Sequence, residues 1–288
     1  MLYREAHGTC IPALGFGTYQ LKDEEGRRSV AEALEIGYRH IDTAQDYGNE
    51  HDIGAVVAAS GISRSELFIT TKVWWERLDH HGVKQSFQRS LDSLQTDYID
   101  LLLIHWDNDA IPLTETLAVM NHLQDQGRVH QIGVSNFTVP RLKADLERSR
   151  TPIFTNQIEY HPFLGQAEIR AYCLSKHILT TAYCPVARGE VLRDPVLQRL
   201  GHKHGKSPAQ VTLRWLLQQE QVLAIPRSSD PRHIRSNFDV FDFTLSCEDM
   251  NLIYALERNQ RKIDPDFAPD WEAEKPVSTD DMVSTHRT

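Results

Sequence analysis

Eight short runs rich in apolar and β-branched residues recur along the chain, and helical patterns separate them. The runs read ALGFGTY, YRHIDTA, LFITTKV, YIDLLLIHW, VHQIGVSNF, IFTNQIEY, ILTTAYCP and VLAIPRSS. Between them apolar residues recur at helical spacing, as at Val83, Phe87, Leu91 and Leu94. Eight strands alternating with helices over roughly 250 residues predict an α/β fold, a (β/α)8 TIM barrel. A doubly wound open sheet shares the alternation and is the structural alternative.

The domain organisation is predicted to be simple. The 288-residue chain shows no Gly/Ser-rich linker and no internal repeat, which favours one barrel domain over residues 1–262. We expect this domain to carry an N-terminal extension and an additional C-terminal helix. From Ile263 the chain is acidic and interrupted by prolines, so residues 263–288 are predicted to form a loop and tail. Phe267 to Trp271 are expected to fold over the barrel mouth, and about the last dozen residues to be disordered.

Charge, hydropathy and cysteine usage limit both the partners and the compartment that the sequence predicts. The net charge of −9 argues against nucleic acid as the main partner. No apolar run approaches the ~20 residues of a membrane helix, and the first ten residues lack a signal-peptide pattern. The four cysteines show no CxxC motif and no metal-ligand spacing. These features favour a cytoplasmic protein with reduced thiols and no metal.

Ionisable side chains fall at the ends of three consecutive predicted strands, where TIM barrels carry their chemistry. The second strand ends at Asp42 with Tyr47 shortly beyond, the third at Lys72 and the fourth at His105. Each residue alone has an ordinary structural explanation, but together they indicate an acid–base site. A lysine ammonium favours the phenolate and lowers a tyrosine pKa that is ordinarily near 10. Such a site can protonate an oxygen that gains charge, and hydride delivery from a cofactor would complete a carbonyl reduction.

The later strand ends are suited to a nicotinamide. Ser135, Asn136 and Gln157 offer the paired donors and acceptors that recognise a carboxamide. Tyr183 offers a flat face on which a nicotinamide ring can stack.

The segment IPRSSDPRHIRSN predicts an anion site. Asp230 and Pro231 have the pattern of an N-cap and a first helical residue, which places a helix N-terminus behind Arg227. Ser228 and Ser229 lie between them, and an adenosine 2′-phosphate is the natural occupant. The alternative is a surface helix cap with incidental arginines. A partial dinucleotide fingerprint earlier in the chain, GFGTYQ, lacks its third glycine and does not predict a Rossmann fold.

Several long segments give the chain a family resemblance. The segments are GFGTYQ, IDTAQDYGNE, ITTKVW, LLLIHW, IGVSNF, TNQIEYHPF, IPRSS and NFDVFDF. Over roughly residues 9–256 the chain resembles the aldo-keto reductases, most of all the bacterial 2,5-diketo-D-gluconate and methylglyoxal reductases. The resemblance implies NADPH-dependent reduction of small aldehydes and ketones, such as methylglyoxal and diketo-sugar acids, by a monomer.

The resemblance also assigns roles to residues of this chain. It implies a catalytic tetrad of Asp42, Tyr47, Lys72 and His105, with Tyr47 as the proton donor and Lys72, paired with Asp42, tuning the phenol. His105 would orient the carbonyl. The implied cofactor-binding residues are Gly17, Thr18, Tyr19, Asp42, Ser135, Asn136, Gln157, Tyr183, Cys184, Pro185, Arg227, Ser228, Ser229, His233 and Asn237. The implied substrate-lining residues are Tyr19, Tyr47, Trp74, His105 and Trp106.

The chain departs from the family pattern in two regions. Asp107 follows the His-Trp pair where proline is common, so the fourth loop is expected to differ in shape and charge. In the adenosine segment Arg227 replaces a lysine, His233 an arginine and Ser236 a glutamate, and nearby Arg232 or Arg235 are candidates to compensate.

Two other functions compete with a carbonyl reductase. A regulatory protein could retain the fold and bind the cofactor without turnover. A barrel glycosidase would need two carboxylates on opposing strand ends, and the sequence places no such pair there.

Overall fold

The computed structural model describes residues 1–143 and 149–271, and these form a (β/α)8 barrel. A hairpin of β1 (Tyr3–Ala6) and β2 (Thr9–Pro12) precedes the barrel as the predicted N-terminal extension. The helix α10 (Cys247–Tyr254) follows the barrel as the predicted additional helix. The residues predicted to be disordered lie outside the described part of the chain.

Each of the eight predicted runs contains one parallel barrel strand. The strands are β3 (Phe16–Gly17), β4 (His40–Asp42), β5 (Phe68–Val73), β6 (Ile99–Ile104), β7 (Val129–Ser135), β8 (Thr155–Glu159), β9 (Leu179–Tyr183) and β10 (Val222–Ala224). The surrounding helices are α1 (Asp23–Ile36), α2 (Glu50–Ala59), α3 (His80–Leu94), α4 (Leu113–Asp125), α5 (Val139–Arg141), α6 (Ala167–Ser175), α7 (Pro195–His204), α8 (Pro208–Gln218) and α9 (Pro231–Phe238).

Hydrogen bonds between the first and last strand regions close the barrel. Gly15 N donates to Ala224 O at 2.9 Å, and Gly17 N donates to Pro226 O at 3.0 Å. Gly17 is needed at this seam because a Cβ there would lie 2.8 Å from the carbonyl oxygen of Ile225. Closure of the seam rules out the open doubly wound sheet.

Amphipathic helices pack their apolar faces against the barrel wall. On α3 the predicted positions Val83, Phe87, Leu91 and Leu94 are all buried. Each such side chain contributes about 1.5–3 kcal/mol by leaving water. Asp79 caps the helix by accepting bonds from the first-turn amides, which fixes where the helix begins. The packed helices thereby hold the strand ends of the barrel in fixed positions.

Neither a membrane span nor a metal-binding cluster occurs in residues 1–143 and 149–271. None of the helices there has the length and apolar character needed to cross a membrane. No three His, Cys, Asp or Glu side chains in the same ranges are placed to hold a metal ion.

Candidate active site

Two neighbouring strands, β4 and β5, bring Asp42, Tyr47 and Lys72 together at the barrel mouth. Lys72 Nζ lies 2.5 Å from Asp42 Oδ1 and 2.9 Å from the carbonyl oxygen of Thr43. The same ammonium donates to the Tyr47 hydroxyl at 3.3 Å. The His105 ring lies 5.6 Å from the Tyr47 ring in an edge-to-face arrangement. The four residues predicted to form the tetrad therefore meet at one place.

The loop after β4 holds Tyr47 through a tight backbone turn and through the buried side chain of Asn49. Residues 45–47 form a single 3₁₀ turn that ends at Gly48, whose φ of 64° favours glycine. The Asn49 side chain donates to the carbonyl oxygens of Thr18 and Leu21, both at 2.8 Å. Asn49 also accepts a bond from Thr43 Oγ1. The sequence places Asn49 next to the site but does not predict this bracing role.

Burial governs the protonation states in the site. It lowers the pKa of the Lys72 ammonium, while the ion pair with Asp42 acts in the opposite direction. Burial, followed by the Asp42 charge, holds the pKa of the Tyr47 phenol well above its usual value. The net shift is thus opposite to the lowering expected from the lysine alone. The phenol therefore carries its proton at neutral pH.

His105 is neutral in this environment. Its side chain is nearly buried, and burial together with the Lys72 charge holds its pKa well below the usual 6.5. Within the described residues its buried Nδ1 has no hydrogen-bond partner. A neutral imidazole can hydrogen-bond a carbonyl oxygen without adding a second charge beside the ammonium.

A connected polar network occupies the ends of β7, β8 and β9. Ser135 Oγ donates to the carbonyl oxygen of Gln157 at 2.9 Å. Asn136 Nδ2 donates to the backbone oxygen of His105, and Asn136 Oδ1 accepts from the Tyr183 hydroxyl at 2.8 Å. Amide and hydroxyl groups of this kind can both donate to and accept from a primary carboxamide. This donor set fits the amide end of a nicotinamide.

Gln157 connects that network to the ion pair. Its Nε2 donates to Asp42 Oδ2 at 2.7 Å, while Asp42 Oδ1 receives the Lys72 ammonium. Both carboxylate oxygens are therefore held, which fixes the orientation of Asp42. The sequence predicts Gln157 as a nicotinamide contact but not as a partner of Asp42.

The segment after β10 has the predicted helix N-terminus. Asp230 caps α9 by accepting a bond from the Arg232 amide, and Pro231 is the first helical residue. Ser228 Oγ accepts a bond from the Asp230 amide at 3.1 Å. The remaining predicted residues of this segment lie nearby: Ser229 is partly buried, His233 is exposed and Asn237 is buried.

The three arginines of this segment have different partners. Arg232 pairs with Asp230 at 2.7 Å, and Arg235 pairs with Glu32 at 3.0 Å. Arg227 is exposed, donates its Nε–H to the Tyr19 carbonyl at 3.0 Å, and has no carboxylate partner among residues 1–143 and 149–271. Its guanidinium is therefore the one best placed to receive an added anion.

Aromatic side chains line the side of the mouth that the family resemblance assigns to the substrate. Tyr19 packs on Tyr47 at 5.1 Å, and Trp74 packs on His105 at 5.2 Å. Phe267 lies 5.5 Å from Trp74 and 5.5 Å from Trp106, so the tail reaches the mouth as the sequence predicts. It also stacks on Trp75, which no sequence motif pointed to. Trp271 lies 6.4 Å from Trp106.

Two further features were expected or implied from the sequence. Asp107 accepts a bond from Arg141 at 2.9 Å, so the unusual acid ties the fourth loop to α5.

Cys184 and Pro185 directly follow Tyr183, and burial raises the pKa of the Cys184 thiol to about 11. That thiol is protonated at neutral pH.

Comparison with known proteins identifies the family. The family model for the aldo/keto reductase family matches residues 13–258. Methylglyoxal reductase DkgB of Escherichia coli O157:H7 is 41% identical over 266 residues, covering 91% of this chain and 99% of that protein. A crystal structure assigned as a 2,5-diketo-D-gluconic acid reductase B is 40% identical with a TM-score of 0.89, covering 91% of this chain and 94% of its own. An aldo-keto reductase from Bombyx mori, solved with NADP, is 35% identical with a TM-score of 0.85, covering 91% and 95%.

The chain therefore belongs to the aldo/keto reductase family, whose members are NAD(P)H-dependent oxidoreductases. The protein is a carbonyl reductase by class, and the regulatory alternative is not favoured.

Proposed function

We propose that the protein reduces small aldehydes and ketones with NADPH, among them methylglyoxal, other 2-oxoaldehydes and diketo-sugar acids. The observation that carries the proposal is the buried Lys72 ammonium, which bridges Asp42 and the protonated Tyr47 hydroxyl. The named activities of the E. coli relative and of the diketogluconate reductase structure support this substrate class. We further propose that it acts as a monomer in the cytoplasm.

The proposed chemistry divides the work among the four tetrad residues. A nicotinamide held at its amide end by Ser135, Asn136 and Gln157 would supply the hydride that reduces the carbonyl carbon. Tyr47 gives its phenolic proton to the carbonyl oxygen, and the Lys72 ammonium stabilises the phenolate that remains. Asp42 keeps Lys72 charged in its buried position, and the neutral His105 imidazole orients the carbonyl oxygen.

The proposal is tested by mixing the purified protein with NADPH or NADH and a panel of carbonyl compounds, and following the loss of nicotinamide absorbance. Turnover of methylglyoxal or a diketo-sugar acid is the expected result. Cofactor binding without turnover of any carbonyl would instead favour a regulatory protein.

Arg227→Ala is expected to weaken NADPH binding by about 10- to 100-fold and to leave NADH binding within a few fold. A hydrogen bond to a charged group contributes about 1.5–3 kcal/mol, and only NADPH carries the 2′-phosphate. The dissociation constants are measured by fluorescence titration. Arg232→Ala is the matched control, since that exposed arginine already pairs with Asp230. Equal weakening of both cofactors by Arg227→Ala would place the 2′-phosphate elsewhere.

The pH profile of kcat/KM is expected to be flat around pH 6.5 and to fall on the alkaline side. Because the pKa of His105 is held well below 6.5, the imidazole stays neutral through this range. Loss of the transferable proton from the buried Tyr47–Lys72 pair would cause the alkaline fall. Initial rates at saturating NADPH across a series of buffers give the profile. A titration near pH 6.5 that disappears in His105→Gln would contradict the neutral role of the imidazole.

A further inference from the structure

We propose that Glu159 is a positioning residue that anchors the C-terminal tail over the substrate side of the mouth. The inference goes beyond the proposed function. Its kinetic test rests on that function, whereas its structural test, cleavage of the tail, does not. Glu159 is the last residue of β8, at the barrel end where chemistry is expected, yet its carboxylate binds backbone of the tail.

Both oxygens of the Glu159 carboxylate receive hydrogen bonds. Oε1 accepts from the Lys262 amide at 2.7 Å, and Oε2 accepts from the Ile263 amide at 2.8 Å. The His161 ring also contacts Oε1 at 2.8 Å. His161 Nδ1 accepts from the Phe163 amide, which leaves the proton on Nε2, so Nε2 donates to Glu159. The side chains of Glu159 and His161 are fully buried.

This arrangement requires a carboxylate. Charge-assisted bonds from two consecutive amides are among the stronger hydrogen bonds in proteins, and three donors offset the cost of burying the charge. A glutamine would present an NH₂ group to one of these N–H donors, which leaves that amide without an acceptor. Charge is therefore needed at position 159 for a reason separate from catalysis.

The anchored backbone leads directly to the aromatic lining of the mouth. The Gln260 amide donates to the Phe163 carbonyl at 2.9 Å, which brings the chain back to the end of β8. Beyond Ile263 the chain continues to Phe267, which packs on Trp74 and Trp106. Releasing the anchor would therefore free the residue that covers these two tryptophans.

A second contact ties the same point to the loop after β9. The Lys262 side chain pairs with Glu190, while its backbone amide binds Glu159. Lys262 therefore offers a matched control, because a change in its side chain removes the pair with Glu190 but leaves the backbone donor in place.

The first experiment measures release of the tail without substrate. In Glu159→Gln, chymotrypsin is expected to cleave after Phe267 at least tenfold faster than in the wild type. Ile263→Pro removes one donated N–H from the tail side without altering the barrel, and should accelerate cleavage in the same way. Lys262→Gln retains the backbone donor and should change the rate by less than about threefold. Wild-type protection in both Glu159→Gln and Ile263→Pro would overturn the proposal.

The second experiment measures kinetics with a bulky aromatic aldehyde. If the tail contacts substrate in the ground state and the transition state alike, KM should rise about tenfold or more in Glu159→Gln with kcat little changed. The Kd for NADPH should stay within about twofold. Glu159 lies opposite Tyr183 on the neighbouring strand, on the predicted nicotinamide side of the mouth. A fall in kcat or in NADPH affinity, with KM unchanged, would place the effect there and overturn the proposal.

A double-mutant cycle with Phe267→Ala separates action through the tail from an independent effect. If Glu159 acts through the tail, the double variant should have nearly the KM of Phe267→Ala alone. Additive increases in KM would overturn the proposal. If the wild type turned over no carbonyl, the proposed function would fail, while the cleavage experiment would still decide whether Glu159 anchors the tail. If Glu159→Gln does not fold, Ile263→Pro carries both measurements.

Discussion

Tyr47→Phe is expected to lower kcat for carbonyl reduction by about 10³-fold or more while leaving NADPH affinity within a few fold. A positioned general acid contributes about 10²–10⁴-fold, and no other phenol contacts the Lys72 ammonium within the described residues. The ring remains, so its packing against Tyr19 and His105 is retained. Single-turnover reduction at saturating NADPH measures the chemical step, and fluorescence titration measures binding.

Tyr19→Phe is the matched control for this prediction. Tyr19 packs on Tyr47 at 5.1 Å but is about half exposed, and the Lys72 ammonium donates to the Tyr47 hydroxyl. Loss of the Tyr19 hydroxyl should therefore have a far smaller effect than the loss of the Tyr47 hydroxyl. If Tyr47→Phe reduced carbonyls at the wild-type rate, Tyr47 would not be the proton donor.

The fold was predictable because it depends on patterns that are local in sequence. Eight apolar runs gave eight strands, and consecutive parallel strands place Asp42 on β4 opposite Thr70 on β5, two residues before Lys72. The length of a strand depends on its neighbours as well, however. The run ALGFGTY contains a strand of only two residues against β4, while Leu14 and Gly15 pair with Ala224 across the closing seam.

The site was predictable as a set of residues but not as a set of bonds. Gln157 reaches Asp42 across the barrel mouth, and Glu159 binds the Lys262 amide, although each pair is more than 100 residues apart in sequence. No local sequence pattern reveals which side chains will meet when they are so far apart in sequence. The direction of the Tyr47 pKa shift was also inaccessible, because it depends on whether burial outweighs the nearby charge.

Lys72→Met is expected to abolish measurable reduction and to lower the free energy of unfolding by about 3–5 kcal/mol. Removing one partner of a buried ion pair leaves the other charge uncompensated, and here Asp42 would keep only the neutral donor of Gln157. The Tyr47 phenolate formed on proton transfer would also lose its stabilising cation. Chemical denaturation measures the stability, and single-turnover kinetics measure the chemical step.

The double variant Asp42→Asn/Lys72→Met separates these two consequences. Because both charges are gone, most of the lost stability should return, as replacement of buried ion pairs by neutral groups is often close to neutral. Activity should stay as low as in Lys72→Met, since the ammonium that contacts the phenol is still missing. Recovery of activity together with stability would mean that Lys72 serves the fold alone. Recovery of stability without activity would show that the buried charge pair is retained for the proton transfer at Tyr47.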